Sequence, residues 1–297
     1  MLVDEVEGLS SHLGGLVLAH RSVSVDDPRG HILCVPGGPG LGSDSLSPLD
    51  GLAGGGWSVS FFDPIDTGGS SPSPSPSYHT LEHHVAEIDA VRSALSLSRV
   101  ILLGHSYGGL LALRYALDHP DRVSALILVS GFASIPRLYE EKRRLADTLP
   151  PEVADILRRQ DAPELHTTEA YQKAIFEWTR RYNYRMNAWK EVPVRLRASW
   201  RRGSDVARDA LFGARDFIAE GPLAGYDTTR ELPRIKLPAL LIAGQHDFAG
   251  PTILREMAER LSASRTAVME SSAHWSMWEE TASVLDAVRE FLSREGL

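Results

Sequence analysis

Leu103-Gly104-His105-Ser106-Tyr107-Gly108-Gly109 is the stretch on which the reading of this chain turns. Before it, Arg99 to Leu103 is a short apolar run with the length and composition of a buried strand. After it, Leu110 to Leu117 is apolar almost all round, as a helix packed behind a sheet must be, and His119-Pro120 ends that helix. A chain that turns sharply from strand to helix needs residues without side chains on both sides of the corner, and Gly104 and Gly108 supply them. Ser106 then stands at the corner with its hydroxyl lifted above the sheet edge. The G-x-S-x-G spacing alone is weak; a strand before it and a buried helix after it make it specific. Ser106 is the candidate nucleophile.

Working outward, short β-branched or leucine-rich runs alternate with longer stretches of helical spacing. Candidate strands are Leu16 to Val25, His31 to Val35, Trp57 to Phe62, Arg99 to Leu103, Ala125 to Ser130, Ala239 to Ala243 and Thr266 to Glu270. Leu81, Val85, Ile88, Val91 and Leu95 recur at three- and four-residue spacing and predict an amphipathic helix. Pro251 opens another helix, and Val284, Val288, Phe291 and Leu292 mark the inner face of a C-terminal one. Such alternation builds a mostly parallel twisted sheet flanked by helices. The stretch from Ala133 to Asp227 breaks the rhythm: it is rich in Arg, Glu, Trp and Tyr and contains no good strand. It predicts a helical cap over residues 133–227, inserted into a core made of 1–132 and 228–297. Ser71 to Ser77, alternating with proline, reads as an extended loop rather than a linker.

A serine hydroxyl is a weak nucleophile; it needs a base in reach, an acid to orient the base, and donors for the oxyanion that forms. Asp247 follows the strand Ala239 to Ala243, and His274 follows Thr266 to Glu270. Both fall at C-terminal strand ends, where open α/β sheets form their sites. The chain order Ser106, Asp247, His274 is that of the α/β-hydrolase fold, with an inserted cap here, and differs from the chymotrypsin and subtilisin orders. Pro36-Gly37-Gly38-Pro39-Gly40 ends the strand His31 to Val35. The N–H groups of Gly38 and Tyr107 are the expected oxyanion hole. A nucleotide cradle does not fit, since the loop fails G-x-G-x-x-G and lacks Gly-Lys-Ser/Thr. The scheme requires no cofactor, and no histidine pair has H-E-x-x-H spacing, so no catalytic metal is expected.

With these residues in view, the chain resembles the proline iminopeptidase family of α/β-hydrolases over most of its length. Pro36 to Gly40 is similar to that family's H-G-G-P-G, and Asp63 to Ser70 to its D-Q-R-G-x-G-x-S. Gly213-Ala214-Arg215-Asp216-Phe217, followed by Gly221, Leu223 and Tyr226-Asp227, resembles its G-P-N-E-F-x-x-x-G-x-L-x-x-W-D. The Glu of that motif binds the substrate's free α-amino group, and Asp216 takes its place. The resemblance implies an aminopeptidase or amino-acid amide hydrolase with Asp216 as ammonium anchor. It departs at Phe248, where a second acidic residue is common, and at Pro64 and Ile65, which replace Gln and Arg. These departures keep open a carboxylesterase, amidase or lactonase acting on a neutral substrate. A ligand-binding module without catalysis is a third reading.

The remaining features set bounds. A net charge of −8 over 297 residues disfavours nucleic acid or an anionic membrane as partner and favours a small molecule or short peptide as substrate. The lone Cys34, the acidic start of the chain and the lack of any run near the ~20 apolar residues of a membrane span point to a cytoplasmic protein. His105 and Cys34 read as packing residues, His83 and His84 as surface residues, and the cap arginines as a solvated helical face. Trp178, Tyr182, Tyr184, Trp189 and Trp200 are candidates both for a pocket lining and for the cap's own core.

Overall fold

A computed structural model describes residues 3–159 and 167–297. Its frame is one eight-stranded sheet: β1 (Val3–Leu13), β2 (Leu16–Val25), β3 (Gly30–Val35), β4 (Trp57–Phe62), β5 (Val100–His105), β6 (Val123–Val129), β7 (Ala239–Gly244) and β8 (Ser264–Met269). The strands lie in the order β1-β2-β4-β3-β5-β6-β7-β8. β2 pairs antiparallel with β1 and β4, and every pair from β4 to β8 is parallel. The seven strands read from the sequence are present to within two residues at each end. β1 is an addition: Val3-Asp4-Glu5-Val6-Glu7 is too polar to read as a core strand, and it forms an edge that pairs on one side only.

The inner parallel strands, β3 to β7, are buried on both faces, which requires helices on both, while the edge strand β8 is partly exposed. On one face lie α1 (Leu81–Ala94), α2 (Tyr107–Asp118) and, after a helical segment described next, α8 (Pro251–Ala258). On the other lie the 3-10 segment Ser43–Leu52 and the C-terminal helices α9 (Ser276–Glu279) and α10 (Thr281–Arg294). Alternation along β5 serves the two layers: Val100 and Leu102 pack with the α1 and α2 side, Ile101 and Leu103 with the α10 side. The predicted inner faces of α1 and α10 are the buried ones. Thr80 caps α1 by accepting from the His83 N–H, and Pro251 opens α8.

Between β6 and β7 the chain forms α3 (Ile135–Ala146), α4 (Pro151–Arg158), α5 (Glu169–Tyr182), α6 (Val194–Arg201) and α7 (Asp205–Phe212). The chain leaves and returns side by side: Ser134 bridges Asp227, and the Thr228 N–H donates to the Ala133 carbonyl at 2.9 Å. A third apolar cluster, including Leu149, Leu157, Trp178 and Phe217, is built from this segment, with Phe248 from beyond β7 packed against it. No described helix is long and apolar enough to cross a membrane.

Candidate active site

The corner after β5 is as tight as its glycines imply. Ser106 sits at φ 54°, ψ −119°, a conformation costly for a side-chain-bearing residue and held here because β5 and α2 fix both flanks. A Cβ on Gly104 would lie 2.3 Å from the Gly108 carbonyl oxygen, and one on Gly108 would lie 2.2 Å from that of Val35. Neither position can carry another residue without moving backbone.

Three strand ends converge at this corner. The turn after β7 brings Asp247 and the loop after β8 brings His274. Ser106 Oγ donates to His274 Nε2 at 2.9 Å, and His274 Nδ1–H donates to Asp247 Oδ1 at 2.7 Å. All three residues are buried. Asp247 Oδ1 also accepts from the Ala249 N–H at 2.7 Å, which fixes the carboxylate's rotamer. Asp63, another acid at a strand end, is used elsewhere: it accepts from the Ser43 and Gly69 N–H groups and braces its own loop.

The His274 loop is fastened from several sides. His105 Nε2–H and Ser130 Oγ–H both donate to the His274 carbonyl, each at 3.0 Å. The His274 N–H donates to the Asn183 carbonyl at 3.0 Å, and Trp275 Nε1–H to Asn183 Oδ1 at 3.1 Å. Glu279 accepts from the Ala273 N–H at 3.0 Å and from the Arg185 N–H at 2.6 Å. Burial pushes the Glu279 carboxyl up to about 7.

The loop after β3 closes the other side. Gly37 packs so near that an added Cβ would meet Ser106 Cβ at 3.1 Å, and Gly38 holds φ +114°, a conformation favouring glycine. Among the described residues the N–H groups of Gly38 and Tyr107 donate to no other group. Gly40 offers its carbonyl to the Ser204 N–H at 2.7 Å, tying this loop to the start of α7.

A cavity of about 270 Å³ opens onto Ser106. Core residues Gly38, Gly40 and Phe248 line it together with Tyr139, Lys142, Trp200, Arg208 and Asp216 from the helical segment. Phe248 stacks on the His274 ring at 3.9 Å with the planes 25° apart. The strand order, the elbow and this site belong together: the sequence profile of the alpha/beta hydrolase fold matches residues 30–281.

The chain belongs to the α/β-hydrolase fold family. Among individual α/β-hydrolases it is similar to a proline iminopeptidase of Saccharolobus solfataricus, 28% identical over 94% of this chain and 90% of that one. It is also similar to a proline iminopeptidase of Lactobacillus helveticus, 29% identical over 93% and 94% of the two chains. Two solved structures share the fold at 24% identity: VinJ, with a TM-score of 0.89 over 97% of this chain and 98% of that one, and a Mycobacterium smegmatis proline iminopeptidase, with 0.88 over 96% and 97%.

In this α/β-hydrolase, Asp216 lines the same cavity as Ser106 but at its exposed rim, where Oδ2 accepts from Tyr171 O–H at 3.1 Å. Of the aromatic candidates, Trp200 lines the cavity, Trp178 packs on Phe248 behind it, and Trp189 is 47% exposed and outside it. His84 is not a surface residue. It is buried in a chain of hydrogen bonds: Tyr107 O–H donates to His84 Nδ1 at 3.3 Å, His84 Nε2–H to His79 Nδ1 at 3.0 Å, and His79 Nε2–H to Asp66 Oδ2 at 2.7 Å. Helical spacing carried the signal, since His84 stands three before Glu87 and four before Ile88 on the buried face of α1. Lys142 and Glu279 had no motif that marked them.

Proposed function

We propose that this chain is a serine hydrolase that cleaves an amide or ester bond through an acyl-enzyme on Ser106. The observation that carries the reading is the continuous hydrogen-bond chain from Ser106 Oγ through His274 to Asp247 Oδ1. His274 Nε2 takes the hydroxyl proton as Oγ bonds to the substrate carbonyl carbon, and the carbonyl electron pair moves onto oxygen. The N–H groups of Gly38 and Tyr107 receive that oxyanion. On collapse the bond to the leaving nitrogen or oxygen breaks, and His274 delivers its proton to the leaving group. Water then attacks the acyl carbon, giving its proton to His274, and Ser106 regains its hydrogen as the acid departs. Asp247 keeps the imidazole in the tautomer that accepts at Nε2. Residues 133–227 act as the cap that closes this site, and the chain works in the cytoplasm on a small molecule or short peptide.

Two substrate readings share this chemistry. The proline iminopeptidase relatives and Asp216 in the cavity support an aminoacyl amide or short peptide with a free amine. Phe248 against His274 supports a substrate without one, because an apolar ring stands where an acidic anchor would serve the ammonium. Ser106→Ala is expected to abolish turnover, and Asp247→Asn to lower kcat by about 10³- to 10⁴-fold. Retained turnover of arylamides and aryl esters by Ser106→Ala would sink the mechanism. Rates on a free-amine prolyl or alanyl arylamide against its N-blocked analogue choose between the two substrate readings.

A further inference from the structure

The cavity beside Ser106 contains a charge that the acyl-enzyme mechanism does not use. The Lys142 ammonium is ringed by aromatic faces, 4.8 Å from the Tyr139 ring centre, 5.2 Å from Phe217, 5.5 Å from Trp178 and 5.7 Å from Phe248. It donates to the main-chain carbonyl of Asp216. The other cations lining the cavity already meet carboxylates: Arg208 pairs with Asp205 and Asp209, and Arg215 with Glu220. No described carboxylate lies within ion-pair distance of Lys142; that of Asp216, whose charge acts on it, is hydrogen-bonded to Tyr171.

An ammonium has three donors, and within this cavity ring faces and one carbonyl leave part of that capacity unmet. Burial pulls Lys142 down to about 8, with Asp216 opposing the shift. An incoming carboxylate would complete the set with a charge-assisted hydrogen bond, while a substrate ammonium would meet like charge. We infer that Lys142 makes the cap side of this cavity a carboxylate subsite, so that the acyl group transferred to Ser106 carries an anionic end. The inference rests on the acyl-enzyme reading. It makes Lys142 a specificity-determining residue and turns the cage away from free-amine substrates.

The test compares three 4-nitrophenyl esters of matched length: the glutarate half-ester, its terminal carboxamide and its terminal ammonium analogue. The carboxylate ester is expected to exceed the carboxamide by about 10- to 100-fold in kcat/KM, chiefly through KM, with the ammonium ester slowest. Lys142→Met should bring the first ratio close to one. A wild-type ratio near one, a preference for the ammonium ester, or a ratio that Lys142→Met leaves intact would each overturn the inference. A binding readout stands apart from turnover and from the folding of that variant: Ser106→Ala protein titrated calorimetrically with monomethyl glutarate and with its amide. Selective binding of the acid supports the subsite, and equal or absent binding refutes it. Failure of the acyl-enzyme reading looks different, with no ester turned over and no labelling of Ser106 by a fluorophosphonate.

Discussion

Glu279 illustrates what a single residue can decide around the proposed reacting groups. One half-buried carboxylate accepts from the Ala273 N–H in the loop bearing His274 and from the Arg185 N–H in the segment after α5. Glu279→Ala should therefore lower kcat by about 10- to 100-fold with little change in KM, while Ser106 is still labelled by a fluorophosphonate, only more slowly. Equal losses in kcat and in the folded fraction would mean that its part is stability alone. That Ser106, Asp247 and His274 would meet was legible because each sits at a strand end with its own punctuation: Gly104 and Gly108 round Ser106, Gly244 before Asp247, and the small residues 271–273 before His274. Lys142 and Glu279 were not. Both are ordinary charged residues on helices, and only tertiary packing of aromatic faces round one, and of two loops round the other, gives them a place.

At the scale of elements, α1 binds two titratable groups to its buried face with opposite consequences. Burial, with His79 and His83 nearby, pulls His84 down to about 3, so the unfolded chain takes up a proton that the folded one refuses. That contribution to stability is present above pH 6.5 and is lost as pH falls toward 3. Burial pushes Glu87 up to about 8, so its contribution is present below pH 4.5 and is lost as pH rises through 8. His84→Gln should flatten the acid limb of a stability-against-pH curve by on the order of 3 kcal/mol, and Glu87→Gln the limb between pH 4.5 and 8. Denaturant unfolding at stepped pH reads both slopes. The β5–α2 elbow makes a sharper prediction. Gly104→Ala, whose methyl would sit 2.3 Å from a backbone oxygen, should cost at least about 3 kcal/mol in the same experiment. Elements with strong apolar periodicity were readable from the chain, whereas β1 was not, because an edge strand satisfies only half its ladder and can remain polar along its length.

For the whole molecule, the sheet separates two apolar layers, and Cys34 lies wholly within one of them. Burial raises its thiol far above the ordinary range, so a thiol reagent should leave the folded protein unmodified and react only at the rate of global opening. Reaction at the rate of an exposed thiol would contradict that packing. Ion pairs also join the helical segment to the core: Arg137 of α3 reaches Glu256 of α8 at 2.9 Å, and Arg195 and Arg202 reach Asp44 at 3.2 and 3.0 Å. These pairs are partly exposed and each contributes at most about 1 kcal/mol. The stronger ties involve the main chain: the Ser204 N–H to the Gly40 carbonyl, the His274 N–H to the Asn183 carbonyl, and the Arg185 N–H to the Glu279 carboxylate, which in turn holds the Ala273 N–H.

Those last contacts bear on how such a protein can be rebuilt. Residues 183–185 brace the loop bearing His274 as much as they join two helices, so the segment between β6 and β7 is not a freely exchangeable cassette. A chimera receiving this stretch from a relative would inherit a histidine loop missing its outer struts. Only grafts that move residues 183–185 together with position 279 keep the lining of the cavity separable from the anchoring of His274.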